Sequence, residues 1–197
     1  MELIRILVVE DDPDFQYLIQ QSLADYDDLA LITCCPDGET ACQAARQEDP
    51  HIVLMDLALP TDPMEGVSAA RRIRLETRAK VILLTSFDDP ATVIQASVEA
   101  FASAYVLKSQ FPLLVPTIRE TARGVIPQSH LICSALLQRL TPAELTVFQH
   151  MLGMPVTLHS SEKTIANQQT GVLRKLGLHN KQQLRHIFSA YFPQIET

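Results

Sequence analysis

The sequence predicts an α/β protein: a five-stranded, doubly wound parallel sheet followed by a small all-α domain. Three observations carry that prediction. Five short apolar runs alternate with amphipathic segments at intervals of roughly 25 residues, the rhythm of right-handed βαβ units. Four of those runs end on a chemically capable side chain, at Glu10–Asp11, Asp56, Thr85 and Lys108. The charge is also divided. Residues 1–126 carry 10 Lys/Arg against 20 Asp/Glu, whereas residues 127–197 carry 6 against 3. An acidic segment joined to a mildly basic one points to two domains with different partners.

The 197-residue chain has room for a domain of about 120 residues and a smaller one. Residues 4–9 form the first apolar run and end in Glu10–Asp11–Asp12; Pro13 then opens a helix with Phe15, Leu18, Ile19 and Leu23 on one face. Residues 29–33 read as the second strand, and Asp37 as the N-cap of a helix over residues 38–48. The third strand, residues 51–56, carries four consecutive apolar residues, 52–55, straight into Asp56, as expected of a strand buried on both faces. A helix over residues 66–76 follows, then a strand over 80–84 ending at Thr85. The next helix starts near Pro90 with Ile94, Val98 and Phe101 on one face, and residues 105–107 form a short strand ending at Lys108. A last helix reaches about Arg123, and Pro116 inside it is expected to kink it.

In an open α/β sheet, chemistry gathers outside the carboxyl ends of the strands, where strand order reverses. If the first and third strands are neighbours, Glu10, Asp11, Asp56, Thr85 and Lys108 meet there. Three carboxylates so close either raise each other's pKa or bind a cation. Mg²⁺ suits one or two carboxylates, a backbone carbonyl and several waters. Asp11, Asp56 and the Ala58 carbonyl fit that set, with Glu10 holding a water. A carboxylate can also attack phosphorus to give an aspartyl phosphate, whose charge a lysine and a hydroxyl would stabilise. Asp12 reads as a helix-start charge.

These residues carry a resemblance. L-V-V-E-D-D at 7–12, V-L-M-D-L-A-L-P at 53–60, V-I-L-L-T-S at 81–86 and A-Y-V-L-K at 104–108 resemble the receiver domain of two-component response regulators, a flavodoxin-like fold, over residues 1–124. The resemblance implies Asp56 as phosphoacceptor, Glu10 and Asp11 as the acidic pair for Mg²⁺, Thr85 and Lys108 as phosphoryl-sensing residues, and Tyr105 as a rotameric switch. It also implies a sensor histidine kinase as phosphodonor and a homodimer. The loop at residues 60–66 is two residues longer than usual, and Phe101 and Ala104 replace common glycines.

The second segment begins after a boundary at residues 124–128, with a linker helix within residues 125–139 and an effector domain over 140–197. Thr141, Pro142 and Glu144 form a capping box for a helix bearing Leu145, Phe148 and Leu152 and ending at Gly153. A second helix starts at Ser161, carries Ile165, Val172, Leu173 and Leu176, and stops at Gly177. A third starts at Asn180 with Leu184, Ile187, Phe188 and Tyr191. The runs at 140–144, 161–167 and 173–177 resemble the LuxR-type helix-turn-helix domain, and with the receiver they resemble the NarL/FixJ class of transcriptional regulators. That resemblance makes residues 161–176 a recognition helix, with Lys163, Asn167 and Gln168 at base edges and Arg174, Lys175 and Lys181 at phosphates. Only residues 154–160 separate the first two helices, so most of the family's intervening helix is missing. Two functions are therefore expected as alternatives: phosphorylation-controlled binding of duplex DNA, or a dimerisation or protein-docking module that no longer binds DNA.

No apolar run approaches the ~20 residues of a membrane span, and no signal peptide opens the chain, so a cytoplasmic protein without membrane contact is expected. Cys34, Cys35, Cys42 and Cys133 lack C-x-x-C spacing and read as reduced thiols. His130, His150, His159, His179 and His186 lack the i, i+4 spacing of a metal site on one helix. No enzymatic reaction is expected beyond self-phosphorylation and autodephosphorylation.

Overall fold

The computed structural model describes residues 3–59, 65–158 and 160–192, so residues 60–64 of the long loop after Asp56, and His159, lie outside the described residues. The chain divides into two compact units, residues 1–132 and 133–197.

In the first unit the strands β1 (Ile4–Val9), β2 (Leu29–Cys35), β3 (Ile52–Asp56), β4 (Lys80–Thr85) and β5 (Ala104–Leu107) form one parallel sheet of order β2-β1-β3-β4-β5. Val9 registers with Met55, and Asp56 with Leu84, so the functional strand ends lie side by side. Side chains alternate across the pleat. Ile6, Val8, Ile52, Leu54, Ile82 and Leu84 pack with Ile19 and Leu23 of α1 (Pro13–Ala24) and Leu114 and Ile118 of α5 (Leu114–Arg123). The helices α2 (Gly38–Glu48), α3 (Glu65–Glu76) and α4 (Pro90–Glu99) complete the wound order.

Local chemistry sets the helix starts. Asp12, Asp37 and Asp89 each cap a helix by accepting from the backbone N–H of Asp14, Thr40 and Thr92, at 2.9, 2.8 and 2.9 Å. Pro116 does not kink a helix. The chain after β5 first makes a 3-10 turn (Lys108–Leu113), and α5 begins only at Leu114. Pro116 therefore falls in the first turn, where its missing N–H is not needed. Two apolar positions predicted to face the core do not: Leu18 is 43% and Ile94 47% exposed. Phe101 lies beyond the end of α4 at φ 53°, a left-handed conformation in which glycine is cheapest. Its position is held by Arg74, whose Nε donates to the Phe101 carbonyl at 3.1 Å, and by Arg71, stacked 4.3 Å from the ring centroid.

The linker helix α6 (Pro127–Leu137) lies within residues 125–139, and Ile126 just before it joins the core of the first unit. In the second unit α7 (Pro142–Leu152), α8 (Glu162–Leu176) and α9 (Lys181–Phe188) enclose Val147, Phe148, Met151, Val172, Leu176, Leu184, Ile187 and Phe188. Phe148 and Phe188 meet edge to face at 5.0 Å. Residues 154–158 between α7 and α8 are not helical.

Candidate functional site

Four strand ends converge at the carboxyl edge. Glu10 follows β1 and is 1% exposed; Asp56 closes β3 at 4%; Thr85 closes β4 and is fully buried. Lys108 follows β5, and its Nζ lies 2.7 Å from Glu10 Oε2 and 2.8 Å from Asp56 Oδ2. Asp11 is exposed, and one carboxylate oxygen from each of Glu10, Asp11 and Asp56 lies within 4.8 Å of the others. This is the one cluster of three potential metal-ligating side chains among the described residues.

Neighbouring groups hold each member. Asp12 N–H donates to Glu10 Oε1 at 3.3 Å, and the Gln16 side-chain amide donates to the Glu10 carbonyl. Ala58 N–H donates to Asp56 Oδ1 at 3.1 Å. Leu57 N–H donates to the Leu84 carbonyl at 3.1 Å, keeping the chain beyond Asp56 against β4. Thr85 Oγ1 accepts from Phe87 N–H at 3.0 Å, which leaves the hydroxyl proton able to donate elsewhere. Lys108 passes over Phe15, its Nζ 4.4 Å from the ring centroid, and Phe15 is braced edge-on by Phe111 at 5.5 Å.

The electrostatics follow from this packing. Burial, opposed by Lys108 and reinforced by the charge of Asp56, pushes the Glu10 carboxyl from 4.5 up to about 7. Burial works against the charge on Lys108, but its bonds to Asp56 and Glu10 outweigh that and hold its pKa above the usual value. One ammonium thus faces two buried carboxylates and the nearby Asp11. Such a site is short of positive charge and suits a divalent cation.

Sequence reasoning did not single out Phe15, Gln16 or Gly66 for the site. A Cβ on Gly66 would stand 2.0 Å from the Asp56 carbonyl oxygen and 2.9 Å from Leu57 Cα. Only glycine lets the first turn of α3 lie against the backbone of the Asp56 strand end. A glycine at the start of an otherwise good helical pattern was the available signal. Tyr105, on the edge strand, is half-buried.

The residues singled out in the second unit do not form one cluster. Lys163, Asn167 and Arg174 recur at i, i+4 and i+11 on an exposed face of α8, where Thr170 joins them. Gln168 is half-buried and turned about 100° from Asn167. Lys175 is not a free cation: its Nζ lies 2.6 Å from Glu144 Oε2. That bond, with the Thr141 backbone N–H, holds the Glu144 carboxyl down at about 2. Glu144 also completes the capping box, its Oε2 accepting from Thr141 N–H at 2.8 Å. Lys181 is exposed at the start of α9.

Fold and site together define a class: a doubly wound α/β domain with an acidic, lysine-bridged cluster at its switch point. The chain matches the response regulator receiver domain family over residues 6–118, more than half its length, and belongs to that family. The transcriptional regulatory protein CseB of Streptomyces coelicolor is 37% identical over 120 residues, 60% of this chain and 49% of CseB. The chain thus spans about half the length of curated relatives such as CseB. A LuxR-family two-component response regulator from Aurantimonas sp. shares 29% identity over 68% of this chain and 97% of its own, with a TM-score of 0.58. Most of this chain, 95%, also shares its fold with 99% of RcsB from Salmonella enterica serovar Typhimurium bound to promoter rprA, at 20% identity and a TM-score of 0.57. No helix among the described residues is long and apolar enough to cross a membrane.

Proposed function

We propose that Asp56 accepts a phosphoryl group from a sensor histidine kinase and that the modified protein regulates transcription through its C-terminal unit on duplex DNA. The observation that carries this reading is the buried Glu10–Lys108–Asp56 cluster beside a buried Thr85. The donor set fits Mg²⁺: Glu10, Asp11, Asp56 and the Ala58 carbonyl would hold it. When bound, the cation would supply positive charge toward the phosphoryl oxygens.

An Asp56 carboxylate oxygen attacks phosphorus as the bond to the donor's leaving group breaks. Lys108, already at Asp56, then pairs with a phosphoryl oxygen. The Thr85 hydroxyl donates to another, and Tyr105 turns inward behind it. The phosphate biases a pre-existing two-state equilibrium through these new contacts. Homodimerisation is the expected output, in a cytoplasmic protein with no catalysis beyond its own phosphorylation and dephosphorylation. The DNA arm is supported by the shared fold with promoter-bound RcsB and by the exposed face of Lys163, Asn167 and Arg174.

A second reading has its own support. No helix is present among the described residues between α7 and α8, and Lys175 is engaged by Glu144. Both favour a dimerisation or docking module. Selection from random duplex DNA by the full-length protein, with and without acetyl phosphate and Mg²⁺, separates the two. Enrichment of one sequence, strengthened by phosphorylation, supports the DNA reading. No enrichment in either state, from folded and phosphorylated protein, favours the docking module.

A further inference from the structure

β5 is an edge strand, paired only with β4. An edge strand leaves alternate N–H and C=O groups without a ladder partner, and buried groups of this kind must find other partners. Here two consecutive groups on the outer side are met by side chains from the start of the linker helix. Ser129, 2% exposed, donates its hydroxyl to the Ser103 carbonyl at 2.6 Å. The half-buried Gln128 accepts from Tyr105 N–H at 3.2 Å through Oε1. The Ser129 hydroxyl oxygen also accepts from Ile126 N–H at 3.4 Å, and Ile126 lies in the core of the first unit. Just before it, Lys80 Nζ gathers the carbonyls of Thr121, Ala122 and Gly124 at 2.6, 3.3 and 3.3 Å. Gln128 and Ser129 thus take the place of a sixth strand. The helix they open runs unbroken to Leu137, past the boundary between the units.

We propose that Gln128 and Ser129 are positioning residues that tie the linker helix to β5, the strand that carries Tyr105 and delivers Lys108 to Asp56. A shift in β5 is passed through these two hydrogen bonds to the helix leading into the second unit. The register of β5 itself is set by its ladder with β4. The passing of the signal rests on the phosphorylation of Asp56 proposed above; the tie does not.

The test is amide hydrogen exchange on the isotopically labelled full-length protein, first without phosphodonor. Gln128→Met removes the acceptor at little cost in volume and is expected to speed exchange of the Tyr105 amide about tenfold. Amides of β1 and β3 are expected to be unchanged, and Gln128→Glu, which keeps an acceptor oxygen, should restore protection. Unchanged Tyr105 exchange in Gln128→Met would overturn the tie. Acetyl phosphate and Mg²⁺ are then added, and intact mass counts the phosphoryl groups taken up. In wild type, phosphorylation should alter exchange both at 104–108 and at 129–137. In the double variant Gln128→Met, Ser129→Ala, uptake and the response at 104–108 should persist while that at 129–137 is lost. A linker response that survives in the double variant would overturn the relay. If the double variant does not fold, Gln128→Met alone decides the same point by a weakened linker response. A wild type that gains no mass would instead refute the reading of Asp56, with the tie still decided by the Tyr105 amide.

Discussion

The carboxyl edge of the sheet and the outward face of α8 both gather polar and charged side chains, by different physics. At the sheet edge the backbone ladder brings Glu10, Asp56, Thr85 and Lys108 together, because parallel strands of matched register end on one line. Burial then makes each charge depend on its neighbours. On α8 the spacing sets a face, but nothing in the helix obliges its charges to stay free. Lys175 is drawn to Glu144, whereas Lys163 and Arg174 stand in solvent. Buried charges announce their role through the cost of leaving them unpaired, while exposed ones are cheap wherever they fall.

The comparison can be broken most decisively at Asp56. Asp56→Asn should reduce phosphoryl uptake from acetyl phosphate and Mg²⁺ to background by intact mass, and uptake at the wild-type level would remove the sheet edge as the reacting site. Next in size is Gly66→Ala. The added methyl meets the Asp56 carbonyl rather than a flexible side chain, so a loss of about 3 kcal/mol is expected in urea unfolding. An unchanged midpoint would mean that the α3 contact does not constrain the site.

A third test uses pH in the absence of divalent cations. The Glu10 carboxyl sits at about 7 in the folded protein against 4.5 ordinarily, so the folded state holds the extra proton between those values. Stability should therefore fall as pH rises from about 4.5 to about 7 and level off above, and Glu10→Gln should flatten that slope. A midpoint that instead rises with pH through this window, and does so less in Glu10→Gln, would contradict the burial argument. The smallest effects are on α8. Arg174→Gln should lower the salt slope of DNA affinity by about one. Glu144→Gln keeps the helix cap but frees Lys175, and should raise the slope by about one. Equal slopes for all three proteins would leave α8 without phosphate contacts and favour the docking reading.

The existence and order of the strands, the Asp37 cap and the polar side chains at the strand ends were legible because each is a local pattern: an apolar run, an Asp before a helix, a polar side chain closing a strand. Strand limits were less so, since β2 continues through Cys34 and Cys35 beyond the expected residues 29–33 by pairing with Val8 and Val9 of β1. The faces of α1 and α4 were less so. Leu18 and Ile94 fit the helical spacing yet lie exposed, since periodicity marks a stripe without saying how much of it is covered. Pro116 was misleading for a related reason: the start of α5 is set by the 3-10 turn after Lys108, which spacing does not reveal.

By itself, then, the sequence determined the wound α/β order, the capped helices of the second unit and the identity of the groups at the sheet edge. Tertiary structure alone decided which charges are partnered: that Lys108 bridges Glu10 and Asp56, that Glu144 holds Lys175, and that Gln128 and Ser129 close the free edge of β5. The reason is physical. Backbone pattern is written in neighbours along the chain, whereas a partner for a charge or an unpaired amide comes from wherever packing brings one within 3 Å or so.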